Sequence, residues 1–364
     1  MSEASPKIDI TQLDKNFVVP GVGEFDVAYT NVTAAPLKLE GMPWFEANGN
    51  EFYRIPKEIA PEYKESGVFH LSHCTSGAAV RFVTDSKVVT LRGKLAHSLD
   101  MNHMPRAGSA GFDSYARTAG GEWIYKKTFQ PNRDQIEFEA LIGLNNAGTM
   151  QEWLINFPLY GGVKIVEVGV EKGSKLQAPA AHKVSKPILF YGSSITQGGC
   201  ASRPGNNYSS MLCRAVDAEQ INLGFSGSAR GEESMAEAIA SLDLAAFVYD
   251  YDHNAPSPEH LQKTHEKFFK IIRKKRPDLP VIMMNRCDYY DNADCRARRD
   301  IVRKTYENAL AAGDKKVWFI DGETLFAGDL RDACTVDGCH PNDLGFFRMY
   351  AKVLPVLKEA LAAK

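Results

Sequence analysis

The chain has 364 residues, and at about 150 residues per domain this length predicts two domains. Lysine and arginine (43) nearly balance aspartate and glutamate (45), so the formal net charge is −2, which argues against a basic nucleic-acid-binding domain. No apolar run approaches the roughly 18 residues of a membrane-spanning helix. The first residues, MSEASPKIDITQ, carry no leader pattern, so we expect a cytoplasmic protein or one whose export leader has been removed.

The first half of the chain predicts an antiparallel β-sandwich. Short segments with alternating apolar and polar residues recur between Gly, Asn and Pro turn signals. Regular short strands without helical windows favour this class over a parallel sheet. The predicted strands are Gly77–Thr84, Lys87–Leu95, Gly111–Arg117, Glu122–Phe129, Gln135–Ile142, Gln151–Phe157 and Val163–Val170.

The second half predicts an α/β domain with a mostly parallel sheet covered by helices. The segment Glu171–Pro187 is rich in Lys, Pro, Ala and Ser, which is typical of a linker. After it, fully apolar strands alternate with helical windows, the pattern of a sheet buried on both faces. The predicted strands are Ile188–Tyr191, Ile221–Leu223, Ala245–Asp250, Val281–Asn285 and Val317–Ile320, and the predicted helices are Asn207–Val216, Glu232–Ser241, Glu259–Lys275, Asp294–Ala312 and Leu344–Ala362.

A turn of small residues, Gly192-Ser193-Ser194-Ile195-Thr196, directly follows the first of these apolar strands. Ligands bind beyond the carboxyl ends of strands in open parallel sheets, so a serine here can point its hydroxyl into a cleft. The turn lacks the GxxxxGK[ST] and GxGxxG phosphate-binding patterns, and Thr196 breaks the GxSxG elbow of α/β-hydrolases. Taken alone, such a turn is most often only a turn.

A second motif, Asp337-Gly338-Cys339-His340-Pro341, precedes the last predicted helix. Asp337 and His340, three residues apart in a turn, can lie side by side, so that the carboxylate accepts the Nδ1–H of the imidazole. Nε2 is then free to take a proton, which a general base for a serine hydroxyl requires. The alternative is a helix start capped by Asn342 or Asp343, with His340 in solvent.

Two other strand ends offer hydrogen-bond donors for a developing oxyanion. Gly224 ends the strand of Ile221-Asn222-Leu223, and a glycine N–H can approach a substrate closely. Asn254 follows the next strand and can donate from its side-chain amide. Each residue by itself is equally well explained as part of a turn.

Ser194, Gly224, Asn254 and the Asp337-x-x-His340 block together resemble the SGNH (GDSL-type) hydrolase family, which is named for Ser, Gly, Asn and His in this order. The resemblance implies that Ser194 is the nucleophile, that His340 is the general base and acid, and that Asp337 orients His340. It further implies an oxyanion hole formed by the backbone N–H groups of Ser194 and Gly224 and the side chain of Asn254.

This chain departs from the family pattern at two of these blocks. Ser193 replaces the usual Asp before the nucleophile, and the block around Asn254 lacks the usual Gly before it and Asp after it. The segment Gly111-Phe112-Asp113-Ser114-Tyr115 is similar to the Gly-x-Asp-Leu-Tyr signature of a β-domain that precedes some SGNH hydrolases, with Ser in place of Leu. The resemblance therefore implies a jelly-roll-like sandwich over residues 1–180 and a hydrolase domain over residues 187–364.

Several other residues are interpreted more simply. His103 and Arg106 lie in a polar loop of the β-domain that can reach the substrate, although a plain surface loop is the alternative. His260 and His265 are five positions apart, which does not fit a helical metal pair, so we expect surface histidines. The seven cysteines contain no CxxC pair, which favours reduced, mostly buried thiols over disulfides or zinc.

The expected function is hydrolysis of an ester through an acyl-enzyme on Ser194, with no metal or organic cofactor. The substrate implied by the resemblance is a small-molecule or glycan ester, with a short acyl group such as acetyl on a polar or carbohydrate alcohol. The alternatives are an acyltransferase with the same chemistry and a carbohydrate-binding protein with an inactive hydrolase domain.

Overall fold

The computed structural model of the chain describes residues 9–15, 22–23, 25–287 and 292–363. Within these residues, two antiparallel sheets are followed by one parallel sheet with helices. The helices are α1 Ile10–Leu13, α2 Gly67–Leu71, α3 Arg106–Ser109, α4 Ser194–Gln197, α5 Tyr208–Val216, α6 Glu233–Ser241, α7 Pro258–Lys275, α8 Ala293–Ala311 and α9 Asp343–Ala362. The strands are β1 Val27–Asn31, β2 Lys38–Glu40, β3 Ala79–Thr84, β4 Val88–His97, β5 Phe112–Arg117, β6 Trp123–Phe129, β7 Glu137–Leu144, β8 Gln151–Asn156, β9 Gly162–Glu171, β10 Leu176–Gln177, β11 Val184–Gly192, β12 Ala218–Gly224, β13 Ala246–Asp250, β14 Val281–Met284 and β15 Val317–Ile320.

The N-terminal part is an antiparallel sandwich, as predicted. One sheet has the strand order β1-β9-β4-β7, and the other has the order β10-β3-β8-β5-β6, with β2 also paired to β3. Their facing side chains form one apolar core, to which the first sheet contributes Leu91 and Val168 and the second contributes Phe82 and Trp153. All seven predicted strands are present. The sequence analysis missed β1, β2 and β10, which are short or only partly buried and so lack a clear alternation.

The C-terminal part is a five-stranded parallel sheet in the order β12-β11-β13-β14-β15. Apolar clusters cover both faces of this sheet, which explains why its strands are almost entirely hydrophobic. The helices α5 to α9 each lie within one residue of their predicted windows. β11 lies between β12 and β13, and Gly192 at its end pairs with Gly224 on one side and Asp250 on the other. The chain leaves β11 where the strand order reverses, the point at which open α/β sheets bind ligands.

The segment between β2 and β3 packs on the parallel sheet instead of the sandwich. Trp44, Tyr53 and Val68 join the core on one face of that sheet. The buried Arg54 donates from Nη1 to the carbonyl oxygens of Asn222 (3.0 Å) and Gly224 (2.8 Å). This segment therefore fastens the β-domain to the strand end that carries Gly224.

The predicted linker is shorter in the structure than in the sequence analysis. Within Glu171–Pro187, β10 pairs with β3, and β11 already begins at Val184. The sequence shows no alternation of apolar and polar residues here, because β10 has only two residues and the first residues of β11 are only partly buried.

His265 was predicted to lie on the surface, and this prediction is wrong. It is buried against Tyr249, and its Nδ1 lies 2.8 Å from Thr305 Oγ1. Burial lowers the pKa of His265 to about 3, so the ring is neutral near pH 7. The seven cysteines all lie within the described residues and form no disulfide, and all but Cys339 are buried. Among the described helices, none is long and apolar enough to cross a membrane.

Candidate active site

The Ser194 turn is built by two small neighbours. Ser193 caps α4 by accepting a hydrogen bond from the Ile195 N–H (3.2 Å), and Ser194 is the first residue of that helix. A Cβ atom on Gly192 would lie 1.7 Å from Asp250 Oδ1, so only glycine fits at the end of β11. Ser194 is 4% exposed, so little of the residue is open to solvent.

The carboxyl group that supports this turn is Asp250, which the sequence analysis did not single out. Asp250 ends β13, and it accepts hydrogen bonds from the hydroxyls of Thr196 and Tyr208. Burial, opposed by the hydrogen bond from the Thr196 hydroxyl and reinforced by the nearby Asp252, raises its pKa to about 8. The position of Asp250 at the end of a predicted strand, next to the strand that leads into the Ser194 turn, is the sequence feature that could have identified it.

We expect the elevated pKa of Asp250 to make the protein less stable as pH rises. The folded state holds the Asp250 proton up to about pH 8, whereas the unfolded chain releases it near 3.8. Stability therefore falls between these values, by up to roughly 1.4 kcal/mol per pH unit. Asp250→Asn should flatten the dependence of Tm on pH between 5 and 9, measured by thermal unfolding. An unchanged slope in the variant would contradict this assignment.

The predicted nucleophile, base and orienting carboxylate lie in hydrogen-bond contact. Ser194 Oγ is 2.9 Å from His340 Nε2, and His340 Nδ1 is 2.7 Å from Asp337 Oδ2. The other carboxylate oxygen, Oδ1, accepts the backbone N–H groups of His340 (2.7 Å) and Cys339 (2.9 Å). Partial burial of Asp337 would raise its pKa, but these N–H groups and the His340 ring outweigh it and lower the pKa to about 2. Asp337 is therefore a carboxylate at any pH near neutrality.

The helix-cap alternative for this motif also holds in part. Asn342 Oδ1 caps α9 by accepting hydrogen bonds from the N–H groups of Leu344 (3.0 Å) and Gly345 (3.2 Å). The Cys200 N–H, just after the nucleophile helix, donates to the carbonyl oxygen of Pro341 (2.8 Å). The cap and this contact hold the loop of His340 against the loop of Ser194.

The predicted oxyanion donors differ in their availability. The Gly224 N–H donates to Asn222 Oδ1 at 2.9 Å, so this group already has an acceptor. Asn254 donates one amide hydrogen to the carbonyl oxygen of Phe225 (2.9 Å), which leaves its second N–H available. Gly227, which follows Phe225 in the same loop, has φ +64°, and a Cβ on it would meet no atom within 4 Å. The backbone of Gly227 is exposed, whereas the Gly224 N–H is buried and already has an acceptor.

The two β-domain residues predicted to reach the substrate have different environments. His103 Nε2 lies 3.8 Å from Asp337 Oδ2, and its ring meets that of His340 edge to face at 5.6 Å. Arg106 instead holds its own loop, because Nε donates to the Pro131 carbonyl (2.7 Å) and Nη1 pairs with Asp100. The structure therefore brings His103 to the site and assigns Arg106 to the support of the loop.

The motif residue Asp113 joins the two domains. Its carboxylate is buried and accepts hydrogen bonds from Arg203 Nη1 (2.8 Å), the Gly205 N–H (2.9 Å) and Asn156 Nδ2 (2.9 Å). Arg203 and Gly205 belong to the loop that follows the nucleophile helix. Asp113 thus fixes the β-domain to a loop beside the site.

Comparison with family models matches both parts of the chain. Residues 185–358 match the GDSL-like Lipase/Acylhydrolase family, and residues 27–176 match the GxDLY model, the N-terminus of Esterase_SGNH_hydro-type. The chain therefore consists of a GDSL-like lipase/acylhydrolase domain and the N-terminal domain of SGNH-type esterases, as its motifs predict. Fold, family and site together define a hydrolase that acts on ester bonds.

Solved structures with the same fold include several esterases. A GDSL-like lipase from Bacteroides ovatus ATCC 8483 is 28% identical, with a TM-score of 0.82 over 93% of this chain and 99% of that one. The salicylyl-acyltransferase SsfX3 from a tetracycline biosynthetic pathway is 19% identical, with a TM-score of 0.74 over 90% and 95% of the chains. A family two carbohydrate esterase from Clostridium thermocellum, in complex with cellohexaose, is 14% identical, with a TM-score of 0.57 over 79% and 94%. No match was found among curated proteins.

Proposed function

We propose that the protein is a serine esterase that works through an acyl-enzyme on Ser194. The observation that carries this proposal is the unbroken chain of hydrogen bonds from Asp337 through His340 to Ser194. As Ser194 Oγ bonds to the ester carbonyl carbon, His340 Nε2 accepts the hydroxyl proton, and Asp337 stabilises the imidazolium. The proton then passes to the leaving alcohol as its bond to the acyl carbon breaks. Water, deprotonated by His340, releases the acid and restores Ser194.

The negative oxygen of the tetrahedral intermediate needs donors on the side of Ser194 away from His340. We assign this role to the Ser194 N–H at the start of α4, the free amide hydrogen of Asn254 and the N–H of Gly227. Gly227 replaces Gly224 here because the Gly224 N–H already donates to Asn222.

Asn254→Ala is expected to lower kcat by about 100- to 1,000-fold, with a smaller change in KM, because an oxyanion donor acts mainly in the transition state. Steady-state kinetics on p-nitrophenyl acetate will measure this change. Asn254→Asp is the matched variant, since it keeps the size of the side chain but removes the donor. Full activity in both variants would remove Asn254 from the oxyanion hole.

The proposed substrate is a short-chain ester, such as an O-acetyl group, on a polar or carbohydrate alcohol. Support comes from the 4% exposure of Ser194, which admits a small acyl group more easily than a long chain. The polar side chain of His103, which lies beside Asp337 and His340, suits a hydroxylated alcohol. Relatives of the same fold include a carbohydrate esterase with a bound cello-oligosaccharide and an acetyl xylan esterase.

The proposal is tested with p-nitrophenyl esters from acetyl to decanoyl, with Ser194→Ala beside the wild type. We expect turnover to be highest for acetyl and to fall steeply as the acyl chain lengthens. Release of acetate from acetylated oligosaccharides then tests whether the alcohol part of the substrate is a carbohydrate. Preference for decanoyl over acetyl would contradict the short-acyl assignment.

Acyl transfer is the second candidate, because the same acyl-enzyme can react with an alcohol, and a salicylyl-acyltransferase shares the fold. An added alcohol that captures the acyl group faster than water does would favour the transferase. Saturable glycan binding without turnover of any ester would favour a binding protein instead.

A further inference from the structure

We propose that His103, Asp337 and His340 form a binding site for a divalent transition-metal ion such as Zn²⁺, and that the bound ion switches the enzyme off. One ligand atom from each residue lies within 4.8 Å of the other two. Metal binding is a property of these three side chains alone. Its inhibitory effect rests on the esterase function proposed above.

The distances suit a small tetrahedral ion. Zn²⁺ binds imidazole nitrogen and carboxylate oxygen at about 2.0–2.2 Å, so that neighbouring ligand atoms are roughly 3.4 Å apart. His340 Nδ1 is 2.7 Å from Asp337 Oδ2, and His103 Nε2 is 3.8 Å from the same oxygen. Shifts well under 1 Å bring both pairs to the required separation. All three side chains are partly exposed, at 33% for His103, 34% for Asp337 and 23% for His340, so an ion and its water can enter.

The hydrogen bond between His103 and Asn102 also favours a cation at this position. Its Nδ1 lies 2.8 Å from Asn102 Oδ1, and because an amide oxygen only accepts, the proton of a neutral ring is on Nδ1. Nε2 then points a lone pair toward the carboxylate of Asp337, which is also an acceptor. A cation between the two atoms converts this repulsion into attraction. A metal-bound imidazole usually donates its other N–H to such an oxygen, so Asn102 supplies the outer contact.

The loop that carries His103 is fastened well enough to hold a ligand. His103 lies between β4 and α3. Three residues later, Arg106 donates to the Pro131 and Asn132 carbonyl oxygens and pairs with Asp100. The site therefore combines one ligand from the β-sandwich with two from the hydrolase domain.

Binding of the ion would block the proton relay. The metal takes the position of the Nδ1 proton between His340 and Asp337, and this proton moves to Nε2, so that neutral His340 neither gains nor loses a proton. Nε2 then presents N–H to Ser194 Oγ, 2.9 Å away, and has no lone pair to accept the hydroxyl proton. Acylation stops until the metal dissociates.

The test compares wild type, His103→Gln and His70→Gln, all as full-length chains freed of metal with EDTA. His70 is an exposed histidine outside the three-residue cluster, so it is the matched control. Calorimetry with Zn²⁺ measures binding independently of turnover. Hydrolysis of p-nitrophenyl acetate at increasing Zn²⁺, scaled to each variant's own metal-free rate, measures inhibition.

Wild type and His70→Gln should bind one Zn²⁺ per chain and lose turnover, which EDTA restores. In His103→Gln the dissociation constant and the inhibition constant should both rise at least about tenfold. Equal Zn²⁺ affinity in wild type and His103→Gln, or no binding to wild type, would overturn the proposal. If the metal-free enzyme turns over no ester, the esterase proposal fails, whereas calorimetry still decides the metal site.

Discussion

Ser194→Ala is expected to lower kcat for p-nitrophenyl acetate by at least about 10,000-fold, with little change in Tm. The hydroxyl oxygen of Ser194 is the atom that forms the acyl-enzyme. When a Ser-His-Asp relay loses its nucleophile, the rate enhancement that remains comes from substrate binding and the oxyanion hole alone. Stability should hold because the variant loses a single side-chain hydrogen bond seen among the described residues, the one from Ser194 Oγ to His340. Steady-state kinetics and thermal unfolding of both proteins will measure the two effects.

The adjacent serine provides the control for this experiment. Ser193 has the same chemistry one residue earlier, but its hydroxyl accepts the Ile195 N–H as a helix cap. Ser193→Ala should therefore cost on the order of 1 kcal/mol of stability while turnover persists. If Ser194→Ala remains active and Ser193→Ala does not, the nucleophile is Ser193 and not Ser194.

The serine and its base could be predicted from the sequence because their positions follow from general rules. Fully apolar segments between helical windows must be strands of a buried parallel sheet, and the residue after such a strand lies at the ligand-binding edge. This places Ser194 and Asn254 at one edge before any coordinates are known. The spacing of Asp337 and His340 within a tight turn similarly determines which ring nitrogen faces the carboxylate.

Other features depend on contacts that a local pattern does not contain. The segment with Trp44 and Tyr53 has no periodicity because its apolar residues are buried against a sheet formed more than a hundred residues later. His265 lies on a helix with many charged residues, yet its side chain fills a space beside Tyr249 and Thr305. The acceptor of the Gly224 N–H is a side chain two residues earlier, which turn signals do not show.

In strand β9, one extra residue changes which side chains face the core, so the alternation of the sequence does not predict them correctly. Strict alternation predicts that Val163 and Ile165 share one face, with Val166 and Val168 on the other. In the structure Val163, Val166 and Val168 are buried, whereas Ile165 is 41% exposed. The pairing of β9 with β4 shifts register between Val163 and Ile165, and this extra residue moves the apolar side chains to one face.

Asp337→Asn is expected to lower kcat by about 10,000-fold while KM changes little. An asparagine has the size of aspartate, but its amide does not select the Nδ1–H form of His340 or stabilise the imidazolium, so Nε2 is often protonated and no longer accepts from Ser194. The kcat and KM of the pure variant on p-nitrophenyl acetate, with Ser194→Ala as the inactive reference, will measure the change.

The low pKa of Asp337 sharpens this prediction. Since hydrogen bonds hold that pKa at about 2, the stability that Asp337 contributes is lost only as pH falls below about 4 toward 2. Activity that the wild type loses between pH 7 and 5 therefore does not come from protonation of Asp337.

Asp343 is the matched acidic control for this variant. It lies three residues after His340, as Asp337 lies three before, but its carboxylate binds Ser202 and Asn206 and not the imidazole. Asp343→Asn removes the same charge from the start of α9, directly after that loop, and should retain far more of the wild-type kcat than Asp337→Asn. Equal losses in the two variants would mean that negative charge near the loop, and not orientation of the His340 ring, is what the acidic residues supply.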